Sequence, residues 1–383
     1  MLALALSVAL LNQEEPARLR TICRNGAAVL VERMADEPMV SVQLWASSRS
    51  VPETPKTHGW RHLLEHLMAK GVSGQVDFKL ESEGGYLRAQ TLRDAMVFEI
   101  NVPPKELKLA VSSILDILKP LQASEESIAS EVRIMREEFA TSEESSKLSR
   151  GAWSAAFAEH GLDPNGSLEV MSTATLKDLR ALQSNHFYPE NLVLTIAGPI
   201  DIKQTTELAV EAIGMKQGAI RTPVPERPAG KPGRVEVSAI GEGRAAIVDT
   251  FDAPKTVGAL AFALAVGSKL EGAFVTYTPT TNRGLILLAQ TEKSSGAGIA
   301  IDEVTDSDWG TLYATGKLLA RRWVQRYLGS ASGVAFIRGL LLAQNHGSRP
   351  EQMLRTIDNL TLEQFKLGAR AFSKEQAVTV VGS

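Results

Sequence analysis

The chain has 383 residues, of which 44% are hydrophobic, and a formal net charge of -3. This length predicts two domains or one large one, and a charge so close to neutral offers no basic surface for DNA or RNA, so we expect no nucleic-acid partner. Cys23 is the single cysteine. An intramolecular disulfide and a thiolate cluster are therefore excluded, and any metal site must use His, Asp and Glu side chains.

The N-terminal segment is short and apolar. Residues 2–11 form an apolar run that is followed by a polar stretch. This run has the length of a signal-peptide core and is too short to span a bilayer. We therefore predict a signal peptide at residues 1–15 and a periplasmic or secreted protein, with a cytoplasmic protein as the alternative. No later segment is apolar for long enough to predict a transmembrane segment.

After this leader, the patterns predict strands and helices in alternation. Apolar runs bounded by turn residues predict strands, and apolar residues at helical spacing between capping residues and Gly or Pro predict helices. In chain order, the predicted elements are strands at 27–34 and 39–47, helices at 58–70 and 77–85, two strands within 86–102 with a turn near 93–94, and helices at 103–120 and 124–144.

The sequence changes character over residues 214–234, which are rich in Pro and Gly and show no periodicity. We predict an interdomain linker there. Residues 175–198 and 361–382, on either side of it, share the order Thr-Leu, amphipathic helix, Phe-x-x-Glu, apolar strand and Gly. This recurrence predicts two similar domains in tandem. Two unrelated helix-strand units are the alternative interpretation.

The most informative stretch is His-x-x-Glu-His at residues 62–66. At about 100° per residue, His62 and His66 lie on one side of the predicted helix and the intervening leucines lie on the other. Residues four apart on a helix are neighbours, so both imidazoles can meet one ion, and Glu65 lies close enough to contact a metal-bound water. A solvated polar face is the alternative, but this ordered pattern is a zinc signature.

A catalytic zinc site typically has three protein ligands and one open position, so the two histidines need a partner. The predicted helix at 124–144 offers carboxylates. Glu131 and Glu138 are two turns apart and share a face, whereas Glu137 points about 100° away from Glu138. This face can present Glu138 to the metal with Glu131 behind it, where it can orient a ligand or water. Plain solvation of an acidic helix is the alternative.

Together these motifs resemble the pitrilysin/insulinase-like family of inverted-motif zinc metallopeptidases, which includes the mitochondrial processing peptidases. The likeness covers roughly residues 20–202, from GWRHLLEHLMAKG through the Gly-Gly turn and the EVRIMREE helix to the segment TATLKDLRALQSNHFYPENLVLTIAGPID. It implies an α+β fold with two tandem domains, each a mostly antiparallel sheet packed with helices, in a clamshell arrangement. The catalytic zinc-binding domain would lie at 20–213, and a reduced, non-catalytic homologous domain at 235–383.

The resemblance also implies the site. Zn2+ would be the cofactor, with His62, His66 and Glu138 as its ligands. Glu65 would be the general base, and Glu131 would be a supporting catalytic carboxylate. The separation between His66 and Glu138 is a little shorter than in the family, which leaves Glu137 as the fallback ligand.

Substrate handling is the part in which the sequence departs from the family. The strand at Leu87, Arg88 and Ala89 is predicted to bind an extended peptide or unfolded segment as an added strand, and Arg88 stands where the family usually has Asn. In the second domain, Phe274 stands where the family has a substrate-gripping Tyr, Tyr277 is nearby, and no Arg is placed to match.

These expectations lead to two functional hypotheses. The first is a zinc-dependent endopeptidase that hydrolyses peptides or unfolded protein segments. The alternative is a non-catalytic or partner-dependent binding or assembly subunit of the same family. Either would be compatible with a homo- or hetero-dimer.

Overall fold

The structure is a computed structural model, and it describes residues 17–48, 52–70, 75–216, 226–291, 308–344 and 349–383. We refer to the described residues up to 216 as the first half and to those from 226 onward as the second half. The predicted signal peptide at 1–15 lies outside the described residues, as do residues 217–225 of the predicted linker. The domain limits taken from the sequence stay predictions.

The first half follows the predicted order of strands and helices. Helix α4 begins after Ser124, whose side chain accepts a hydrogen bond from the Ser127 backbone N–H, and it ends a turn before the predicted end. The elements are β1 (Arg18–Ile22), β2 (Ala28–Arg33), β3 (Val40–Ser47), α1 (Trp60–Lys70), α2 (Gln75–Ser82), β4 (Tyr86–Thr91), β5 (Ala95–Val102), α3 (Leu107–Ile117), α4 (Glu125–Ala140), α5 (Glu144–Phe157), α6 (Leu168–Met171), α7 (Leu176–His186), β6 (Leu192–Gly198) and α8 (Ile202–Gly214).

The second half repeats the mixture of strands and helices. Its elements are β7 (Gly233–Val237), β8 (Glu242–Val248), α9 (Pro254–Gly267), β9 (Ala273–Tyr277), β10 (Gly284–Gln290), α10 (Asp308–Leu328), α11 (Ala331–Ala343), α12 (Pro350–Asp358), α13 (Leu362–Arg370) and β11 (Val378–Gly382). None of the described helices in either half combines the length and the apolar composition needed to cross a membrane.

The two sheets share one strand order. The first sheet runs β1-β2-β6-β3-β5-β4 and the second runs β7-β11-β8-β10-β9. Strand β6 lies between β2 and β3, parallel to the former and antiparallel to the latter. Strand β11 has the same relation to β7 and β8. Apart from β1, each strand of the first sheet thus has a counterpart in the second, and the predicted fold of two similar α+β units is confirmed.

The predicted repeat also has the same local chemistry in both halves. Helices α7 and α13 each begin with a threonine capping box, in which Thr175 pairs with Asp178 and Thr361 pairs with Gln364. The side chain at the third helical position accepts from the threonine backbone N–H, and the threonine hydroxyl accepts in return. Each helix then leads into the strand that enters the middle of its sheet, so the shared Thr-Leu start marks equivalent positions.

Each half covers the outer face of its sheet with a helix from the other half. Helix α5 packs Leu148 and Trp153 against second-sheet residues such as Leu287. Helix α11 packs Leu340 against Trp45 of the first sheet. A Cβ at Gly339 would lie 2.0 Å from Trp45 Nε1, so only glycine permits this approach. Since a sheet with apolar residues on both faces must be covered on both, this exchange interlocks the halves.

Candidate active site

Helix α1 carries the central motif, and its apolar side holds it in place. Leu63 and Leu64 are completely buried in the core beneath the first sheet. Glu53 fixes the start of the helix, because its Oε1 accepts from the backbone N–H groups of Gly59 at 2.9 Å and Arg61 at 3.1 Å. Its other oxygen pairs with the Arg61 guanidinium at 3.3 Å. These contacts fix the orientation of α1, and with it the direction in which the face opposite the leucines points.

The two histidines on that face meet a carboxylate from helix α4. Glu138 Oε2 lies 3.9 Å from His62 Nε2 and 3.7 Å from His66 Nε2. The two imidazole rings stand nearly perpendicular, with centroids 4.8 Å apart. These three residues form a cluster whose candidate ligand atoms all lie within 4.8 Å of one another. Two distant segments of the sequence therefore converge at one point.

The second nitrogen of each imidazole has its own acceptor. His62 Nδ1 lies 3.1 Å from the Asn165 backbone oxygen, and His66 Nδ1 lies 3.4 Å from Glu131 Oε2. A backbone carbonyl and a carboxylate are acceptors, so they favour the tautomer with the proton on each Nδ1. In that tautomer each Nε2, on the side of Glu138, keeps its lone pair for a ligand bond. Such outer contacts fix the tautomer and the ring orientation of a metal-ligating histidine.

Glu131 is itself held by Lys70. The Glu131 side chain is almost completely buried, with 3% exposed, and Lys70 Nζ donates to its Oε1. Among the described residues, Oε2 makes no hydrogen bond that meets ordinary geometry and has only the His66 contact. A buried carboxylate needs such a cation, because removing its charge from water is otherwise strongly unfavourable. Lys70, Glu131 and His66 therefore form a continuous chain that leads to the cluster.

Glu65 is buried beside the histidines, with 6% of its surface exposed. Thr91 at the end of β4 donates its hydroxyl to Glu65 Oε2 at 2.9 Å. Burial raises the pKa of the Glu65 carboxyl, and the negative charge of Glu138 adds to this, whereas His62 and Thr91 act in the opposite direction. A carboxylate with a raised pKa next to a cluster of ligand atoms is suited to accept and return a proton.

Strand β4 forms an edge of the first sheet, where it pairs with β5. Leu92 N donates to Ala95 O at 2.8 Å across the connecting turn. Since paired residues of antiparallel strands alternate between bonded and non-bonded positions, the backbone groups of Leu87 and Ala89 point away from β5. The predicted substrate-binding strand therefore presents donors and acceptors at a sheet edge, in the same strand whose Thr91 contacts Glu65.

The ligand set fits zinc. With bonds of about 2.0–2.2 Å to nitrogen and oxygen, tetrahedral zinc places its ligand atoms about 3.4 Å apart. The two imidazole-to-carboxylate distances, 3.7 and 3.9 Å, are close to this spacing. Two neutral imidazoles and one carboxylate are also a set that catalytic zinc sites use. The buried oxygen of Glu131 on His66 supplies the outer contact that such a ligand normally has.

The structure distinguishes between the candidate residues that the sequence left undecided. Glu138 belongs to the cluster of candidate ligands, whereas the exposed Glu137 does not. In the second half, Tyr277 is buried against Trp323, with ring centroids 5.6 Å apart, and burial raises the pKa of its hydroxyl. Tyr277 is therefore a core residue in this structure.

Sequence reasoning missed several contacts of the site. Lys70 lies four residues after His66, so its helical spacing was a usable signal. Glu53 and Thr91 are single polar residues, and nothing in the surrounding sequence marked them as contacts of the site. Asn165 contributes a backbone carbonyl, which every residue has, so its identity contained no signal at all.

The chain is similar to known proteins in sequence and in fold. Residues 28–163, a range that contains His62, Glu65, His66, Glu131 and Glu138, match the family model described as Insulinase (Peptidase family M16). An uncharacterized zinc protease of Streptomyces coelicolor is 26% identical over 58% of this chain and 50% of its own length. Mitochondrial-processing peptidase subunit beta of Dictyostelium discoideum is 26% identical over 50% of this chain and 42% of its own length. The chain thus spans about half the length of these relatives.

Solved structures share the fold over almost the whole chain. A protease from Helicobacter pylori, 17% identical, matches with a TM-score of 0.80 over 96% of this chain and 100% of its own. A peptidase M16 inactive domain from Pseudomonas fluorescens, 15% identical, matches with a TM-score of 0.72 over 95% of this chain and 97% of its own. The resemblance predicted from the motifs is therefore confirmed: residues 28–163 match the Insulinase (Peptidase family M16) model, and the chain is similar to proteins named zinc protease and mitochondrial-processing peptidase.

Proposed function

We propose that this protein is a zinc-dependent endopeptidase that hydrolyses peptides or unfolded protein segments bound in extended form. The observation that carries the proposal is the convergence of His62, His66 and Glu138, with the buried Glu65 beside them. A structural zinc site normally closes all four positions with protein ligands. Three ligands of this type, next to a buried carboxylate and a sheet edge, favour catalysis.

In this proposal, His62 Nε2, His66 Nε2 and a Glu138 oxygen would hold the zinc ion. When bound, zinc supplies Lewis acidity that polarises a carbonyl and lowers the pKa of water towards about 7. Glu65 takes a proton from the attacking water and returns it to the leaving amine. The Thr91 hydroxyl holds one Glu65 oxygen, which leaves the other for this exchange. Glu131 and the Asn165 carbonyl orient the imidazoles.

The substrate would lie along strand β4. The outward backbone groups of Leu87 and Ala89 would pair with an extended peptide, and this pairing accepts any sequence because it uses main-chain atoms. It would also place the peptide beside Thr91, the residue that contacts Glu65. Peptides and unfolded segments can adopt this geometry, whereas a segment already paired in a folded sheet cannot.

The test combines metal analysis with cleavage of a quenched-fluorescence peptide library. We expect the wild-type chain to bind about one zinc and to cleave peptides in a chelator-sensitive reaction. Glu65→Gln should retain zinc and lose about 10²–10⁴-fold in kcat, whereas the exposed Glu137→Gln should match wild type. Full turnover by Glu65→Gln would refute its role as the base.

The second candidate is a non-catalytic or partner-dependent binding subunit. Two observations favour it: Arg88 stands in the substrate strand in place of the expected Asn, and an M16 domain described as inactive has the same fold. In this case the chain would bind zinc and peptide but cleave only with a partner, in a homo- or hetero-dimer. A zinc-loaded wild-type chain without turnover, measured alone, would support this alternative.

We also propose a periplasmic or secreted location, which rests on the apolar run at residues 2–11. Cell fractionation tests it, together with N-terminal sequencing of the mature protein. Export with removal of about the first 15 residues is expected. An uncleaved protein in the cytoplasm would contradict it.

A further inference from the structure

Strand β4 presents alternating side chains on two faces. Leu87 and Ala89 pack on the first core, on the side of helix α1. Successive side chains of a strand point to opposite faces, so Arg88 lies on the other face of the sheet. Arg88 is exposed, and it is three residues from Thr91, or about 10 Å along the strand. Its charge therefore lies beside the edge at which a substrate would be added.

The Arg88 cation has no carboxylate partner within ion-pair distance among the described residues. Its guanidinium Cζ lies 5.8 Å from the ring centroid of Tyr86, a residue on the same face of the strand. Glu99 stands directly opposite it on β5. The Oε1 atom of Glu99 is taken by Asn101 Nδ2 at 2.6 Å and Ser332 Oγ at 2.5 Å. The guanidinium therefore lies near the Tyr86 ring, and because Arg88 is exposed it is accessible to a new partner.

A peptide that pairs with the free edge of β4 would bring one of its side chains next to Arg88. Residues that face each other on neighbouring strands point to the same side of the sheet and have Cβ atoms about 5 Å apart. An oppositely charged side chain is favoured at this distance, and a like charge is disfavoured. The partner residue would point away from the zinc-binding face, so it would influence binding without entering the cluster.

We infer that Arg88 is a specificity residue that selects substrates with Asp or Glu at the position that pairs with it. The inference rests on the proposed function, since it assumes that extended peptides bind at the β4 edge. It deepens that function by naming the substrate class: peptides or unfolded segments with an acidic side chain at one fixed position relative to the cleaved bond.

The experiment uses the full chain and matched peptides that differ only by Glu, Gln or Lys at each successive position. Cleavage is measured as kcat/KM, and binding is measured as Kd in a Glu65→Gln background. The variants are Arg88→Gln and Arg88→Glu. The control is Arg20→Glu, the same charge reversal on β1, the strand at the opposite edge of the sheet.

We expect wild type to prefer Glu over Gln about threefold at one position and to disfavour Lys. Arg88→Gln should remove this preference. Arg88→Glu should change the ratio of kcat/KM for the Lys peptide to that for the Glu peptide about tenfold in favour of Lys. The Arg20→Glu control should keep the wild-type profile. A wild type without an acidic preference, or a preference that survives Arg88→Glu, would overturn the inference.

The two measurements distinguish this inference from the proposed function. If no peptide is cleaved but Kd shows the same Arg88-dependent preference, the endopeptidase proposal fails and the role of Arg88 stands. If peptides are cleaved without that preference, the role of Arg88 fails alone. If no peptide binds or is cleaved, both are overturned.

Discussion

Helices α1 and α9 hold corresponding places in the two halves, yet their surroundings differ. In chain order, α1 comes between β3 and the edge strand β4, and α9 comes between β8 and the edge strand β9, which hold the corresponding places in the second sheet. Helix α1 leaves His62 and His66 only partly buried on one side. In α9, by contrast, every residue from Thr256 to Ala263 is buried. One topology can therefore support a polar, ligand-bearing helix or an entirely enclosed one.

The difference arises from what lies over each helix. Helix α9 is enclosed by α10 and α13, and the contacts are so close that glycines are required. A Cβ at Gly258 would lie 2.6 Å from the Gln364 backbone oxygen, and one at Gly316 would lie 2.6 Å from Ala261 O. Over α1, helix α4 instead brings Glu131 and Glu138 to the histidines. The polar interface between α1 and α4 provides side chains that can bind a ligand, whereas the tightly packed interface of α9 with α10 and α13 contributes stability.

The largest expected effect comes from removing a candidate zinc ligand, the feature that distinguishes the first half. Glu138→Gln deletes a candidate ligand charge, and we expect zinc affinity to fall more than about 100-fold, since even outer contacts cost 10–100-fold. The side chain is 48% exposed, so the fold should tolerate the change. Competition with a chelator measures the affinity. Glu137→Gln is the matched control, and an equal loss in both variants would contradict the assignment of Glu138.

The next effect concerns the enclosed helix. Gly258→Ala should lower the free energy of unfolding by about 2 kcal/mol, because the new Cβ meets backbone that cannot move aside easily. Gly310→Ala in α10 is the control, since a Cβ there meets nothing within 4 Å, and it should be neutral or stabilising by up to about 1 kcal/mol. Urea denaturation measures both. A Gly258→Ala protein as stable as wild type would refute the close packing of α9.

Substitutions of Lys70 test whether residues behind the candidate ligands affect zinc binding. Lys70→Met leaves Glu131 buried without its cation, so we expect zinc affinity to weaken about tenfold. Lys70→Arg should restore most of that affinity, because a cation returns to the same carboxylate. Chelator competition measures the affinity, and a cobalt-substituted spectrum reports the ligand geometry. Wild-type affinity and spectrum in Lys70→Met would show that Lys70 is only a surface charge.

The smallest expected effect concerns a charge network between the two halves. Arg338 of α11 pairs with Glu32 of β2 and donates to Glu351 of α12 at 2.6 Å, and Arg18 of β1 donates to Glu351 at 3.0 Å. Burial acts to raise the pKa of Glu351, but the Arg338 and Arg18 contacts outweigh it and lower the pKa from 4.5 to about 2. The stabilisation is therefore fully present above pH 4.5 and is lost as the pH falls towards 2.

Glu351→Gln measures this contribution. The side chain is 38% exposed, so after solvent screening we expect a loss of about 1 kcal/mol at pH 7. Denaturation of both proteins at several pH values should show the difference shrinking between about pH 4.5 and pH 3. A difference that is constant with pH would mean that the network acts through packing and not through charge.

Much of the fold could be predicted because it depends on local periodicity. The Thr-Leu starts of α7 and α13 and the two strands within 86–102 are short-range patterns, and the structure has them where expected. The same holds for the shared side of His62 and His66, since helical spacing alone sets it. The exchange of α5 and α11 between the sheets could not be predicted. Both helices have apolar residues to bury, and either sheet offered an apolar face.

The candidate site divides in the same way. The sequence by itself determined that two imidazoles and Glu65 share one stretch of helix, and that Glu131 and Glu138 share a face of another. Only the tertiary structure decided that Glu138, and not Glu137, reaches the histidines, and that Lys70, Thr91 and the Asn165 carbonyl surround them. The physical reason is that local spacing fixes directions within one element, whereas distances between elements depend on how the whole core packs.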